Sequence, residues 1–191
     1  MQRLIVICLV ALLLALGSAT TAAAQNTALT AGKGTVSATL GYGIYVGEGD
    51  GNPYGLGLGV RGGYTLDMNL YVGGLFNFFV GETDSVGGVD SSARFIQIAA
   101  EVGYDIAVES VVIRPSLGIG AGIFSVSTSG SVAGVDLDSS DSETYLLLAP
   151  GANVIVPLGG FFVGGELRYF WIPTEDYGDG LLIAANVGAI F

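Results

Sequence analysis

The sequence predicts an all-β fold: an eight-stranded antiparallel up-and-down β-barrel that crosses a membrane with its strands, preceded by a cleavable signal peptide. Three observations predict it. Eight segments alternate apolar residues with small or polar ones, the period-2 pattern of a strand with one apolar face. The connections between them alternate short and long. The last segment puts Leu181, Ile183, Ala185, Val187, Ala189 and Phe191 on one wholly apolar face and stops there, with no polar tail.

The first element is the leader. Arg3 gives a basic start, Leu4 to Leu16 is an apolar run, and Ala22-Ala23-Ala24 offers an Ala-x-Ala cleavage site before Gln25. The run falls short of the ~20 apolar residues a membrane anchor needs. The expected division is a signal peptide over 1–24 and one barrel domain over 25–191. Cys8 lies inside the apolar run, and reading it as a lipid-modified cysteine would leave the Ala-x-Ala site unused. Beyond the leader there is no cysteine, so no disulfide and no thiol chemistry is expected.

Composition narrows the class. Hydrophobic residues make up 51% and charged residues 12%, the reverse of a disordered chain. Mean hydropathy is +0.65, yet no later run is long enough for a spanning helix, so the apolar residues must be spread over strands. A net charge of −11, or −12 once Arg3 is lost, argues against nucleic acid, whose phosphates require Lys and Arg.

The strands follow in order. The first sets Val36, Ala38, Leu40, Tyr42, Ile44 and Val46 against Thr35, Ser37, Thr39, Gly41 and Gly43. The second sets Tyr54, Leu56, Leu58, Val60, Tyr64 and Leu66 against Gly55, Gly57, Gly59, Arg61, Gly63 and Thr65. The third has Leu70, Val72, Phe76, Phe78 and Val80 opposite Tyr71, Gly73, Leu75 and Asn77. The fourth has Ile96, Ile98, Ala100, Val102, Tyr104 and Ile106 opposite Gln97, Glu101, Gly103 and Asp105. The fifth has Val111, Ile113, Leu117, Ile119, Ala121 and Ile123 opposite Arg114, Ser116, Gly118, Gly120 and Gly122, with Pro115 as the candidate for a bulge. The sixth has Leu146, Leu148, Pro150, Ala152, Val154 and Val156 opposite Tyr145, Leu147, Ala149, Gly151 and Asn153. The seventh sets Phe161, Val163, Leu167, Tyr169 and Trp171 against Phe162, Gly164, Glu166, Arg168 and Phe170, and the eighth is the terminal strand.

Asp67 to Asn69, Ala107 to Ser110 and Pro157 to Gly160 read as tight turns. Gly47 to Pro53, Gly81 to Ala93, Ser127 to Glu143 and Pro173 to Gly180 read as longer polar loops. This is the pattern of eight up-and-down strands with both chain ends on the short-turn side. In hydrocarbon every backbone donor and acceptor must be paired, so the sheet closes and turns its apolar faces to lipid. A soluble barrel is the alternative, but it would expose a Gly-rich, nearly uncharged surface.

With these features assembled, the stretch from Gly34 to Phe191 resembles the small eight-stranded outer-membrane barrels of the OmpA/OmpX type. The resemblance rests on leader, strand count, loop alternation and the aromatic ending, and on no single motif. It implies the bacterial outer membrane, contact with its lipid and lipopolysaccharide, a monomer, and recognition of the terminal strand with Phe191 by the barrel assembly machinery.

Strand charges point mostly inward. Arg61, Glu101, Arg114, Glu166 and Arg168 are expected to form a salt-bridged layer across the lumen, either a satisfied polar core or a charged constriction. Tyr64 and Tyr104 near short turns, and Tyr54, Tyr169 and Trp171 near long loops, are expected as interfacial girdles, with a carbohydrate-stacking site as the alternative. Most of the 17 acids fall in the long loops. Asp136, Asp138, Asp141 and Glu143 form a weak calcium candidate without EF-hand spacing; otherwise they are a solvated, self-repelling loop. Absence of histidine removes the nucleophile chemistry of known membrane-barrel enzymes. No enzyme activity and no cofactor are expected. The function expected is a structural or surface-interaction role through acidic extracellular loops; the alternative is a small narrow pore, since inward glycines leave room.

Overall fold

The computed structural model describes residues 30–47, 52–86, 89–132, 135–174 and 178–191. The predicted signal peptide lies outside the described residues. The strands are β1 (Lys33–Val46), β2 (Gly55–Thr65), β3 (Leu70–Val86), β4 (Val89–Tyr104), β5 (Ile106–Val108), β6 (Val111–Val132), β7 (Val135–Leu158), β8 (Phe161–Phe170) and β9 (Asp179–Ile190). All pairs are antiparallel, and β1–β9 and β4–β6 close the sheet into a barrel.

The barrel has eight staves, one of them broken in two. β4 and β5 both pair with β6 in a single register: Gly103↔Ser116 on one side of the break, Ile106↔Ile113 on the other. The break falls opposite Pro115, which has no N–H to offer the ladder. On its other side the β3–β4 ladder runs on by one rung, the amide of Asp105 donating to the carbonyl of Asn69 at 2.8 Å. Pro115 therefore interrupts the pairing without inserting a residue, so the bulge expected there is absent. A register shift does occur in β3, between Val80 and Thr83.

Three tight turns join the staves at one end. Asn69, Glu109 and Gly159 take positive φ in them. The start of β1 and the end of β9 lie here as well, with Gly34 and Phe191 exchanging backbone hydrogen bonds at 2.7 and 3.0 Å across the seam.

Two of the four expected long loops are instead strand. β3–β4 pairing continues to Val86↔Val89, and β6–β7 pairing to Val132↔Val135. Each Ser/Thr-rich edge finds a partner in the next, since β4 pairs with β6 as far as Val89↔Gly130. Tertiary pairing here overrides a composition that reads as loop.

The burial pattern is inverted relative to a soluble domain. Leu58, Leu56, Ile183 and Val187 on the outer wall are more than half exposed, while Arg168, Gln97 and Asp105 are at 0%. An apolar belt around a polar interior is a surface made for hydrocarbon.

Candidate functional site

The lumen is filled in tiers, each built from inward positions at period 2 along the staves. Nearest the short turns, Arg114 on β6 meets Asp105 through Nε–Oδ1 at 2.5 Å and Nη2–Oδ2 at 2.8 Å. Thr65 donates to Asp105 Oδ2 at 3.1 Å, and the hydroxyl of Thr30, ahead of β1, donates to the same oxygen. The Arg114 guanidinium lies 3.7 Å above the Tyr71 ring. Tyr71 needs neighbours without side chains: a Cβ on Gly63 would fall 2.5 Å from its atoms, and one on Gly73 closer still.

One tier above, Arg61, Glu101, Glu166 and Arg168 alternate in sign around a ring. Arg61 Nη2 reaches Glu166 Oε1 at 2.6 Å, and Arg168 Nε reaches the same oxygen at 2.5 Å. Arg168 Nη2 also binds Glu101 Oε1. Arg61 Nε sits 2.9 Å from Glu101 Oε2 but is misaligned for a hydrogen bond, so that contact is ionic only. Ser116 donates to Glu101 at 2.8 Å, Arg61 Nη1 donates to Asn153 at 2.6 Å, and Arg168 Nη1 donates to the Ala149 carbonyl at 2.9 Å. Two cations and two anions balance within the ring. Losing one partner would strand a charge at a cost of several kcal/mol.

Above that, Asn77 Nδ2 donates to Gln97 Oε1 at 2.8 Å. The end opposite the short turns is then closed by aromatic rings. Tyr54, Phe79, Phe95, Phe124 and Phe170 pack with centroids 4.6 to 6.3 Å apart, alongside Leu147 and Leu182. Tyr54 enters from the β1–β2 connection. Gly55 takes a φ of +58°, open to glycine but strained for a side chain, and this breaks the alternation so that Tyr54 and Gly55 both face inward. The Tyr54 hydroxyl donates to the Gly178 carbonyl at 2.9 Å. Burial, with Asp179 nearby, holds its phenol far above the ordinary range.

The structure thus brings Arg61, Glu101, Glu166 and Arg168 together and sets Arg114 apart, one tier nearer the short turns, with Asp105. Tyr54 is not a girdle residue but the centre of the aromatic cluster. Tyr169 is also nearly buried, its hydroxyl bound to Asp179 at 2.6 Å. Tyr64 and Trp171 are on the outer surface. The side chains of Asp136 and Asp138 lie outside the described residues. Asp141 accepts from the Ser142 amide at 2.8 Å, and Glu143 accepts from Tyr145. No group of three or more metal-ligating residues converges among the described residues. Thr30 and three of the four phenylalanines were missed by sequence reasoning, which had already set Phe170 on the inward face. Phe79, Phe95 and Phe124 were within reach, each two residues along the inward face from Asn77, Gln97 and Gly122.

An apolar wall, a polar lumen and alternating connections are the marks of an outer-membrane barrel, and a family model agrees. The outer membrane protein beta-barrel domain matches residues 9–191. The chain belongs to this family. A search of curated proteins finds no match. Among solved structures, this outer-membrane barrel is similar to Ail, the attachment invasion locus protein of Yersinia pestis, at 22% identity over 84% of this chain and 99% of that one, with a TM-score of 0.57. It is similar to a major outer membrane protein from Thermus thermophilus at 13% identity over 83% and 98%, with a TM-score of 0.64. Neisserial surface protein A gives 18% identity over 83% and 96%, with a TM-score of 0.50. These likenesses show the fold, and with the family they place the protein in the bacterial outer membrane.

Proposed function

We propose that this is a non-enzymatic, non-conducting outer-membrane barrel with a structural and surface-interaction role carried by its extracellular end. The supporting observation is the filled lumen: two ionic tiers, an Asn–Gln pair and an aromatic cluster occupy the space that the inward glycines open. A narrow pore is the reading this filling disfavours. Catalysis is disfavoured as well: the chain has no histidine, and both Glu101 and Glu166 are already held by two guanidiniums each.

The protein crosses the inner membrane behind the leader over 1–24, is handed to the assembly machinery through the strand ending in Phe191, and works as a monomer amid outer-membrane lipid and lipopolysaccharide. One structure of Ail is a complex with the heparin analogue sucrose octasulfate, at 19% identity and a TM-score of 0.53. The exposed Glu82, Asp90, Asp141 and Glu143 argue against such a polyanion for this chain. Single-channel recording in planar bilayers is the direct test. Current indistinguishable from the bare bilayer is expected, and steady ohmic steps would replace this reading with the narrow pore.

A further inference from the structure

The lumen is dry at its short-turn mouth as well as beneath the aromatic rings. Around this mouth the inward side chains fall into two halves. Thr65 of β2 and Asp105 at the β4–β5 break form the polar half, together with Arg114. Val112, Ile155, Phe162 and Ile190, from β6, β7, β8 and β9, form an apolar half. Exposure there runs from 0% at Val112 to 9% at Ile190. The flanking turn residues Glu109, Ser110, Gly159 and Gly160 are themselves exposed. Apolar side chains at an aqueous mouth stay that dry only under a cover.

The chain ahead of β1 comes back into this mouth. Thr30 to Lys33 make a four-residue turn, the Lys33 amide donating to the Thr30 carbonyl at 3.2 Å. Gly32 takes a φ of +69°, the left-handed conformation such a reversal uses, and its amide donates to the Thr65 carbonyl at 2.8 Å. A Cβ on Gly32 would fall 2.9 Å from Asp67 Oδ1. The turn is thus held to β2. It leaves Thr30 at 0% exposure with its hydroxyl on Asp105, in the polar half.

We propose that Gln25 to Leu29, the segment ahead of the described residues, is a stopper for this mouth, with the Leu29 side chain seated on Val112, Ile155, Phe162 and Ile190. Its place follows from Thr30. Neighbouring side chains of an extended chain point opposite ways, so a chain that gives Thr30 to the polar half gives Leu29 to the apolar half. Five residues reach about 16 Å, enough to cross a lumen narrow enough for side chains to fill. Gln25 to Leu29 carry no charged side chain, so none would strand an ion beneath the barrel. The stopper keeps water and solutes from the short-turn side off the Asp105–Arg114 pair.

Beyond the leader the chain has no cysteine, so a single introduced one is the only thiol. The test is labelling by iodoacetamide, read by mass spectrometry, on the barrel beginning at Gln25 in lipid nanodiscs. The same chain unfolded in urea gives the unprotected rate. Leu29→Cys should label about tenfold or more slowly than Gln25→Cys. Val112→Cys should be protected likewise, and adding Leu29→Asp should remove that protection by driving the segment out of the apolar half. A heat-shifted gel band shows that each variant is folded. Leu29→Cys labelling as fast as Gln25→Cys overturns the proposal. Val112→Cys that stays protected beside Leu29→Asp overturns it too, because the apolar cluster would then cover itself. Planar-bilayer current should stay at background in every variant, since the ionic ring and the aromatic cluster remain. Labelling therefore decides the stopper, and current decides the proposed function.

Discussion

The two ends of the lumen are filled by opposite chemistry. Toward the short turns the filling is ionic: Arg114 with Asp105, then the ring of Arg61, Glu101, Glu166 and Arg168. Toward the outside it is aromatic, with Tyr54, Phe79, Phe95, Phe124 and Phe170 in mutual contact. The wall is the same throughout, apolar outside and glycine-rich inside. The difference teaches that glycine makes space and the side chain across from it decides what the space becomes. A Cβ on Gly57 would strike the Phe79 ring, whereas one on Gly118 would come within 3.2 Å of Arg168 Nη1.

The ionic half should break hardest. Arg168 is wholly buried and binds both ring carboxylates. Arg168→Met would leave Glu101 and Glu166 with Arg61 alone, and should destabilise the barrel by about 3–5 kcal/mol. The measurement is the urea midpoint of the protein folded into lipid vesicles. Adding Glu166→Gln should restore part of the loss by rebalancing the charge. A harmless Arg168→Met would mean that ion pairing does not hold this half.

The aromatic half should break more softly. Phe95 lies 5.0 Å from Tyr54 and 4.6 Å from Phe124, centroid to centroid. Phe95→Ala should cost about 3 kcal/mol in the same titration, as lost burial plus the cavity left behind. It should still not conduct, because the ring beneath remains intact. A conducting Phe95→Ala barrel would make the aromatic cluster the only seal and end the equivalence of the halves. Overfilling comes next. Gly73→Val would drive a side chain into Tyr71 and the Gly62 carbonyl, for about 2 kcal/mol of strain, read as a smaller folded fraction on semi-native gels.

Most of this plan was legible in alternation. Every inward charge on β2, β4, β6 and β8 lies on the face that parity assigns, because a strand held between lipid and lumen cannot slip by one residue. Depth was not legible. The single layer expected for the five charges put Arg114 level with Glu101, but the ladder pairs Glu101 with Gly118 and leaves Arg114 four residues lower. Tyr54 defeated parity because Gly55 turns the chain through positive φ. The upper hairpins were hidden because Gly81 to Ala93 and Ser127 to Glu143 read as loops until β3, β4, β6 and β7 are set side by side. The room for a pore was inferred from glycines alone, and rings from neighbouring strands occupy it.

The smallest expected effect tests where the ionic half ends. Thr30 precedes β1 and is fully buried, its hydroxyl on Asp105 Oδ2. Asp105 keeps Arg114 and Thr65 if that hydroxyl is lost. Thr30→Val should therefore cost about 1.5 kcal/mol, the low end for one hydrogen bond to a charged group, because that group retains its other partners. Thr65→Val should cost more, since Thr65 also accepts from Arg114 Nη2 at 3.2 Å. The urea midpoints of the two variants rank the contacts. If Thr30→Val has no effect while Thr65→Val does, the ionic half ends at the strands and the segment before β1 adds nothing to it. If the two are equal, Asp105 rather than Arg114 is what both threonines serve.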